Sequence, residues 1–197
     1  MTDAPTLTAR RGELIGHLFE NPRMGVPRAV YWSCNVEFDP LVRKADDEEN
    51  WPCTLLCDWI TWPIRSWRQI DGLTLADSAG PLELEASLYF FNQHQPLATV
   101  EFSLRRAVAN SFRVRGRLLG DLEDLDGRVF RGITANFEVL VEFAGLLVVP
   151  ENLEPKLESE AQALQALRNY ADLEAYEQPE WHDGKWLFRP KLDTAPG

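Results

Sequence analysis

The chain has 197 residues, of which 45% are hydrophobic and 26% charged, the composition of an ordinary globular protein. Its net charge of −11 disfavours binding to nucleic-acid phosphates, and it is explained either by solubility alone, which we favour, or by a basic protein partner. No apolar stretch approaches the ~18 residues that cross a bilayer, and the N-terminal residues lack the apolar segment of a signal peptide. With three cysteines, an odd number, the sequence predicts a cytoplasmic protein with reduced thiols and no membrane association.

Residues 1–22 are predicted to contain a short amphipathic helix. Four apolar side chains recur at helical spacing, and the pattern stops before Pro22. They are Leu14, Ile15, Leu18 and Phe19.

Residues 28–150 are predicted to form an antiparallel sheet. Apolar and polar residues alternate with a period of two in four segments, which indicates strands with one face on a core and one in water. The connections at 91–96 and 108–111 have hairpin length, so we expect a meander, in either an open or a strongly curved, barrel-like sheet. The acidic run at 46–49 is expected to be a solvated loop. The four alternating segments are 82–91, 97–106, 111–119 and 133–143.

The C-terminal part is predicted to hold the longest helix and then a hairpin. Apolar residues recur every three or four positions over 151–178, with strong helix formers between them. In 179–197, Asp183-Gly184 is the preferred pair for a two-residue turn, which would place Trp181 opposite Trp186. The expected fold is a single domain over 1–197 of the α+β class, a predominantly antiparallel sheet with both helices packed on it.

No residue set in the sequence carries a recognisable catalytic or metal-binding motif. His17, His94 and His182 lack a neighbouring nucleophile in any known signature, and glycines do not cluster into a phosphate-binding loop. Cys53 and Cys57 are too isolated for a zinc site and are expected to be buried. We therefore expect no catalytic residue, no cofactor and no metal, and the balance favours a protein that is not an enzyme.

Four of the seven tryptophans lie within residues 51–67, and Pro63 interrupts this segment. Because proline cannot donate to a β-ladder, we expect an edge strand or a bend there, with some aromatic rings left exposed. Exposed tryptophan and arginine are enriched at binding hot spots, although a large core would use the same rings. The candidate interface residues are Trp59, Trp62, Arg65, Trp67 and Arg68.

A second candidate surface is an Arg/Glu face on the alternating strands. Arg113, Arg115 and Arg117 share one face of a strand, and Glu101 and Glu138 occupy matching positions on neighbouring strands. These groups form either a cross-strand ion-pair lattice on an outer surface or the polar lining of a ligand-binding barrel.

Three functions remain open at the level of sequence. The preferred hypothesis is a non-enzymatic acidic protein-binding module, for example an immunity or antitoxin-type inhibitor of a basic partner protein. The alternative is a small-molecule-binding or enzymatic β-barrel that uses the Arg/Glu face. A structural subunit that assembles as a homo-oligomer is the third.

Overall fold

The computed structural model describes residues 7–42, 50–78, 84–90, 93–123 and 127–192, and within these ranges the chain is mostly β-strand with one α-helix. The acidic run predicted at 46–49 lies outside the described residues. The helix α1 is Glu160–Leu167. The strands are β1 Ala9–Asn21, β2 Val26–Val42, β3 Asn50–Ile60, β4 Glu85–Phe90, β5 Gln93–Pro96, β6 Thr99–Arg106, β7 Ser111–Glu123, β8 Val129–Val148, β9 Glu180–His182 and β10 Lys185–Phe188.

These strands form one curled sheet in which neighbours run in the order β5–β4–β3–β2–β1–β8. The sheet branches along the 20-residue strand β8, because β7 pairs with Val129–Glu142 and β10 pairs with Leu146–Val148. Strand β6 adds to β7, and β9 adds to β10. Among the described pairs, β1 with β8 is parallel and the others are antiparallel.

The two ends of the curled sheet approach each other at the buried residue Gln95 in β5. Its side-chain amide donates to the backbone carbonyl of Glu123 in β7 at 3.1 Å, and its Oε1 accepts from the Glu123 amide at 3.2 Å. The amide of Ala98 then donates to the carbonyl of Leu119. The Gln95 side chain therefore takes the place of a strand partner, and the curled sheet forms a half-barrel.

Apolar side chains on the inner face fill this half-barrel. Because side chains alternate along each strand, apolar residues from both ends of the sheet meet in one contiguous cluster. The residues between them on β7 and β8 point outward and are mostly exposed. That residues 1–197 form a single domain stays a prediction. The largest fully buried residues of this core cluster are Trp32, Trp67, Phe112, Phe143, Phe188, Leu14, Leu18, Leu55, Ile60 and Ile70.

The three cysteines belong to this core, as predicted for Cys53 and Cys57. Cys34 and Cys57 are paired across β2 and β3, and all three thiols are free and buried. Burial raises the pKa of Cys34 and of Cys53 to about 12 and raises that of Cys57 well above its usual value. The thiols are therefore protonated at neutral pH and behave as small apolar side chains.

The predicted N-terminal helix is wrong, because residues 9–21 form strand β1 in the middle of the sheet. Leu14, Gly16 and Leu18 face the core, whereas Ile15 and Phe19 are half-buried on the opposite face. Apolar residues therefore occur on both sides of the strand and imitate a helical pattern.

The predicted helix over 151–178 is also wrong in length, so the α+β class does not hold. Only Glu160–Leu167 is α-helical, and Ser159 caps it by accepting a hydrogen bond from the Gln162 amide. Pro155 lacks a backbone donor, which excludes a helix that begins at 151 and continues through it, and Asp172 caps a separate 3-10 turn at Leu173–Ala175. The helix formers in this region are used in irregular segments that pack Leu153 and Leu157 onto the core.

Within the described residues, the four alternating segments overlap the strands β4, β6, β7 and β8, and the sheet is curled as expected. The Asp183-Gly184 turn also forms, with positive φ at both residues, and Trp181 and Trp186 are partners across β9 and β10. Within the described ranges, no helix has the length and apolar character needed to cross a membrane.

Candidate functional site

Two of the three tryptophans predicted at an interface are core residues. Trp62 follows the end of β3 and is buried, and its Nε1 donates to the carbonyl of Thr74 at 3.0 Å. Trp67 is fully buried, and its Nε1 donates to the carbonyl of Ala175 at 2.8 Å. The bend expected at Pro63 is present, because the chain leaves the sheet after Ile60, and Trp62 turns into the core while Pro63 stays exposed.

The two predicted arginines attach the C-terminal segment to this bend. Arg65 donates through Nη2 to the carbonyl of Arg168, and Arg68 donates through Nη2 to the carbonyl of Lys191, each at 2.8 Å. The Arg68 guanidinium also lies 5.1 Å from the centre of the Trp67 ring. Both side chains make intramolecular contacts in the described structure, and whether they contribute to an interface stays a prediction.

Trp59 differs from the other two because its ring lies on the outer face of the sheet, where it is half-buried. In the pairing of β2 with β3, Trp32 is opposite Ile60 and Cys34 is opposite Cys57, so Ser33 alone faces Asp58 and Trp59. This is a β-bulge, and Trp59 adopts a left-handed φ of 64° that is unusual for a bulky residue. The bulge turns two consecutive side chains, those of Asp58 and Trp59, to the same face.

The bulge borders a cavity of about 310 Å³ on the outer face of β1, β2 and β3. Its apolar wall is a cluster of three aromatic rings, Phe19, Tyr31 and Trp59, with ring centres 5.1 to 6.1 Å apart. The Tyr31 hydroxyl already has a partner within the chain, because it donates to the Pro27 carbonyl at 2.9 Å. The remaining lining residues are polar: His17, Ser33, Asp58, Glu85 and Asn152.

The polar groups of this cavity lack partners. Ser33 is only 8% exposed, yet among the described residues neither its hydroxyl nor the Asp58 carboxylate has a side-chain hydrogen bond or ion pair. The described side-chain atoms that are both fully buried and unpaired lie elsewhere, on Arg28, Trp32 and Asn35, so the Ser33 hydroxyl and the Asp58 carboxylate are open to solvent. A hydroxyl and a carboxylate without a described partner therefore line the same cavity.

His17 lies on β1 beside the same cavity. Burial lowers the pKa of its imidazole below the usual value, the Asp58 carboxylate raises it, and the Lys185 ammonium lowers it further. The net direction is downward, so the ring is neutral at neutral pH and offers one donor and one acceptor nitrogen. We name the cavity with its lining residues His17, Phe19, Tyr31, Ser33, Asp58, Trp59, Glu85 and Asn152 the Trp59 cavity.

The lowered pKa of His17 predicts an acid-sensitive contribution to stability. Below the ordinary value of 6.5 the unfolded chain binds a proton at His17 that the native chain resists, so the native state loses stability as the pH falls. We expect His17→Gln to flatten the fall in unfolding free energy between about pH 7 and pH 5, by at most about 1.4 kcal/mol per pH unit. Urea titrations at several pH values measure it. Equal slopes for His17→Gln and the wild type would contradict the prediction.

The Arg/Glu face lies on the outside of the sheet. Arg113, Arg115 and Arg117 are exposed, and the first two both pair with Glu138, at 3.4 and 2.7 Å. The inner positions of β7 are apolar, so these arginines line no interior in the described structure. Glu101, opposite Arg117 in the pairing of β6 with β7, borders an open cleft of about 770 Å³ together with Arg115 and Arg117. The ligand-face hypothesis for this surface stays a prediction.

Sequence reasoning singled out Trp59 but missed its neighbours. His17, Ser33 and Asp58 come from three strands and are 16 and 25 positions apart, so only the strand register brings them to one face. The described residues contain no group of three histidine, cysteine, aspartate or glutamate side chains placed to hold a metal ion.

Comparisons of the sequence with protein-family models and with curated proteins, and of the structure with solved structures, give no match.

Proposed function

We propose that this protein is a non-enzymatic binding module whose partner is a basic protein, as in inhibitors of the immunity and antitoxin type, and that it acts in the cytoplasm. The observation that carries the proposal is the Trp59 cavity, in which an aromatic wall stands beside unpaired acceptors. Tryptophan on a partly exposed surface and desolvated charged contacts are the features of binding hot spots. The three reduced, buried thiols support the cytoplasmic location.

Charge supports a basic partner. The chain carries a net charge of −11, and a field of that sign accelerates encounter with a positively charged protein. A second cavity of about 780 Å³ continues along the outer face of β1, β2 and β3 and contains the carboxylates of Glu13, Glu37 and Glu142 with the guanidinium groups of Arg11 and Arg189. The Arg11 side chain is already paired with Glu37 at 2.7 Å. A partner seated on this face would contact both cavities.

The arrangement of the polar groups favours binding over catalysis. Ser33 lies on β2, the strand between β1 with His17 and β3 with Asp58, and His17 is opposite Tyr31 and not opposite Ser33. In a Ser–His–Asp triad the histidine lies between the other two and is oriented by the carboxylate. Here the serine is in the middle, and no described carboxylate is bonded to the imidazole.

The test is capture of the partner from the native cell at native expression level. We expect the wild-type chain to retain one stoichiometric protein with a high isoelectric point, released by raised salt, and Trp59→Ala to lose it while remaining folded. The matched control is Trp181→Ala, because Trp181 is 58% exposed on β9, away from the Trp59 cavity. The proposal fails if no stoichiometric partner is retained, if the partner is acidic, or if Trp59→Ala retains it as well as the wild type.

A small-molecule site on the Arg/Glu face is the second candidate, and the open cleft beside Glu101, Arg115 and Arg117 favours it. The same preparation distinguishes the two. A bound anion or metabolite found by native mass spectrometry, and lost in Arg117→Gln but kept in Trp59→Ala, would support the cleft. A homo-oligomer, seen on a sizing column without any second protein, would point to a structural subunit instead.

A further inference from the structure

We propose that the Trp59 cavity binds the guanidinium group of an arginine side chain that the partner protein inserts. This inference rests on the proposed function, because it names the group by which the basic partner is recognised. It is based on the unpaired hydroxyl and carboxylate groups that line the cavity, and not on the charge of the chain as a whole.

The polar groups of the cavity are mainly hydrogen-bond acceptors, so they match a ligand with several hydrogen-bond donors. Asp58 and Glu85 supply carboxylate oxygens that accept only, Ser33 supplies a hydroxyl, and neutral His17 supplies one acceptor nitrogen. A guanidinium group carries five N–H donors in a planar fork and can bind a carboxylate with two parallel hydrogen bonds. It can therefore satisfy Asp58 and Ser33 together.

The apolar wall distinguishes a planar cation from a compact one. Phe19, Tyr31 and Trp59 give the cavity an aromatic side next to its carboxylates. A guanidinium group is weakly hydrated and stacks on aromatic faces, whereas the ammonium of lysine is a strongly hydrated point charge. At about 310 Å³ the cavity lies at the lower limit for small-molecule sites, which fits one inserted side chain.

The β-bulge provides the geometry for this recognition. Without it, Asp58 and Trp59 would point to opposite faces of β3. The left-handed φ of 64° at Trp59 costs free energy that glycine at this position would avoid, and such strained residues concentrate at ligand-binding sites. Here the strained conformation places the carboxylate and the ring beside the same ligand.

The experiment titrates N-acetyl-arginine amide into the isotopically labelled full chain and follows the Trp59 indole and His17 ring signals by NMR. N-acetyl-lysine amide and N-acetyl-citrulline amide, a neutral analogue of nearly the same shape, are the comparison probes. We expect saturable shifts with the arginine probe, with both other probes at least about tenfold weaker, because charge-assisted bidentate hydrogen bonds are roughly twice as strong as neutral ones. Asp58→Asn should weaken arginine binding by a similar factor, and the control Glu174→Gln, at an exposed carboxylate outside both cavities, should not.

Three results would overturn the inference: equal binding of the citrulline probe, equal binding of the lysine probe, or no shift with the arginine probe up to its solubility limit. Should Asp58→Asn fail to fold, Glu85→Gln replaces it, because Glu85 is exposed and its side chain supports no described contact. If the arginine probe fails while capture of the partner still depends on Trp59, the proposed function stands and this inference alone falls. If the probe binds but no basic partner exists, the proposed function falls.

Discussion

Replacing Trp67 by alanine is expected to lower the free energy of unfolding by roughly 3–5 kcal/mol, the usual cost of truncating a buried aromatic side chain. The ring is fully buried, stacks on Phe143 with centres 6.2 Å apart, and has the Arg106 guanidinium 4.6 Å from its centre. Its Nε1 donates to the carbonyl of Ala175, which the substitution leaves without that donor.

The size of this effect follows from where Trp67 lies. It joins the bend after β3 to β8 and to the C-terminal segment, and the same junction contains the hydrogen bond from the Asp172 amide to the Arg65 carbonyl, at 2.7 Å. Loss of the ring therefore opens a cavity where three parts of the chain meet, and these parts can close it only by moving together.

Urea unfolding followed by circular dichroism measures the change. Trp181→Ala is the matched control, and we expect it to cost less than about 1 kcal/mol because its ring is largely in water and contacts Trp186 only at an edge. Trp67→Phe separates the two contributions, since it keeps most of the apolar volume and removes the indole donor. A loss at Trp67 no larger than that at Trp181 would contradict the assignment of Trp67 to the core.

The strands that the sequence predicted well are those with one face in water. In β7, Phe112, Val114 and Leu118 face the core while Arg113 and Arg115 are exposed, so the period of two is visible in the residues themselves. In β1 the same period is hidden, because Ile15 and Phe19 are half-buried on the face opposite Leu14 and Leu18. When a central strand carries apolar residues on both faces, its sequence pattern no longer distinguishes a strand from a helix.

The helix over 151–178 failed for a different reason. Its residues have high helix propensity, but propensity is a weak preference that burial of apolar side chains can override. Leu153 and Leu157 enter the core from irregular segments, and only Glu160–Leu167 keeps the helical form. Proline at position 155 was visible in the sequence and could have moved the predicted start.

The Trp59 cavity shows what one sequence leaves out. Trp59 stood out because of its residue type, but its position on the outer face depends on the bulge opposite Ser33. No glycine marks that bulge, although glycine is the usual residue at a left-handed φ. His17 was an isolated histidine on an expected helix, and it became part of a site only because β1 is a strand beside β2.

The second large effect is expected at Gly145, where β8 passes from β7 to β10. The register between β1 and β8 shifts by one residue at this point, and Gly145 takes a positive φ of 138°. A β-carbon there would lie 2.5 Å from the backbone oxygen of Phe188 in β10. We expect Gly145→Ala to lower the free energy of unfolding by roughly 2–4 kcal/mol, because backbone strain and an overpacked contact add.

Gly25→Ala is the control for a β-carbon at a positive φ without a steric contact. Gly25 has φ 73°, in the left-handed region, and a β-carbon there would have no atom within 4 Å, so we expect a loss of only about 1 kcal/mol. Urea unfolding of the two variants should show the larger loss at Gly145, where the φ of 138° is less accessible to alanine and the β-carbon meets Phe188. Because β10 pairs with only Leu146–Val148 of β8, moving Phe188 away should also release the β9–β10 hairpin. Hydrogen exchange at the Leu187 and Phe188 amides should be faster in Gly145→Ala, but not in Gly25→Ala, if the β9–β10 branch of the sheet depends on Gly145. Equal exchange rates in the two variants would instead assign the cost at Gly145 to backbone strain alone.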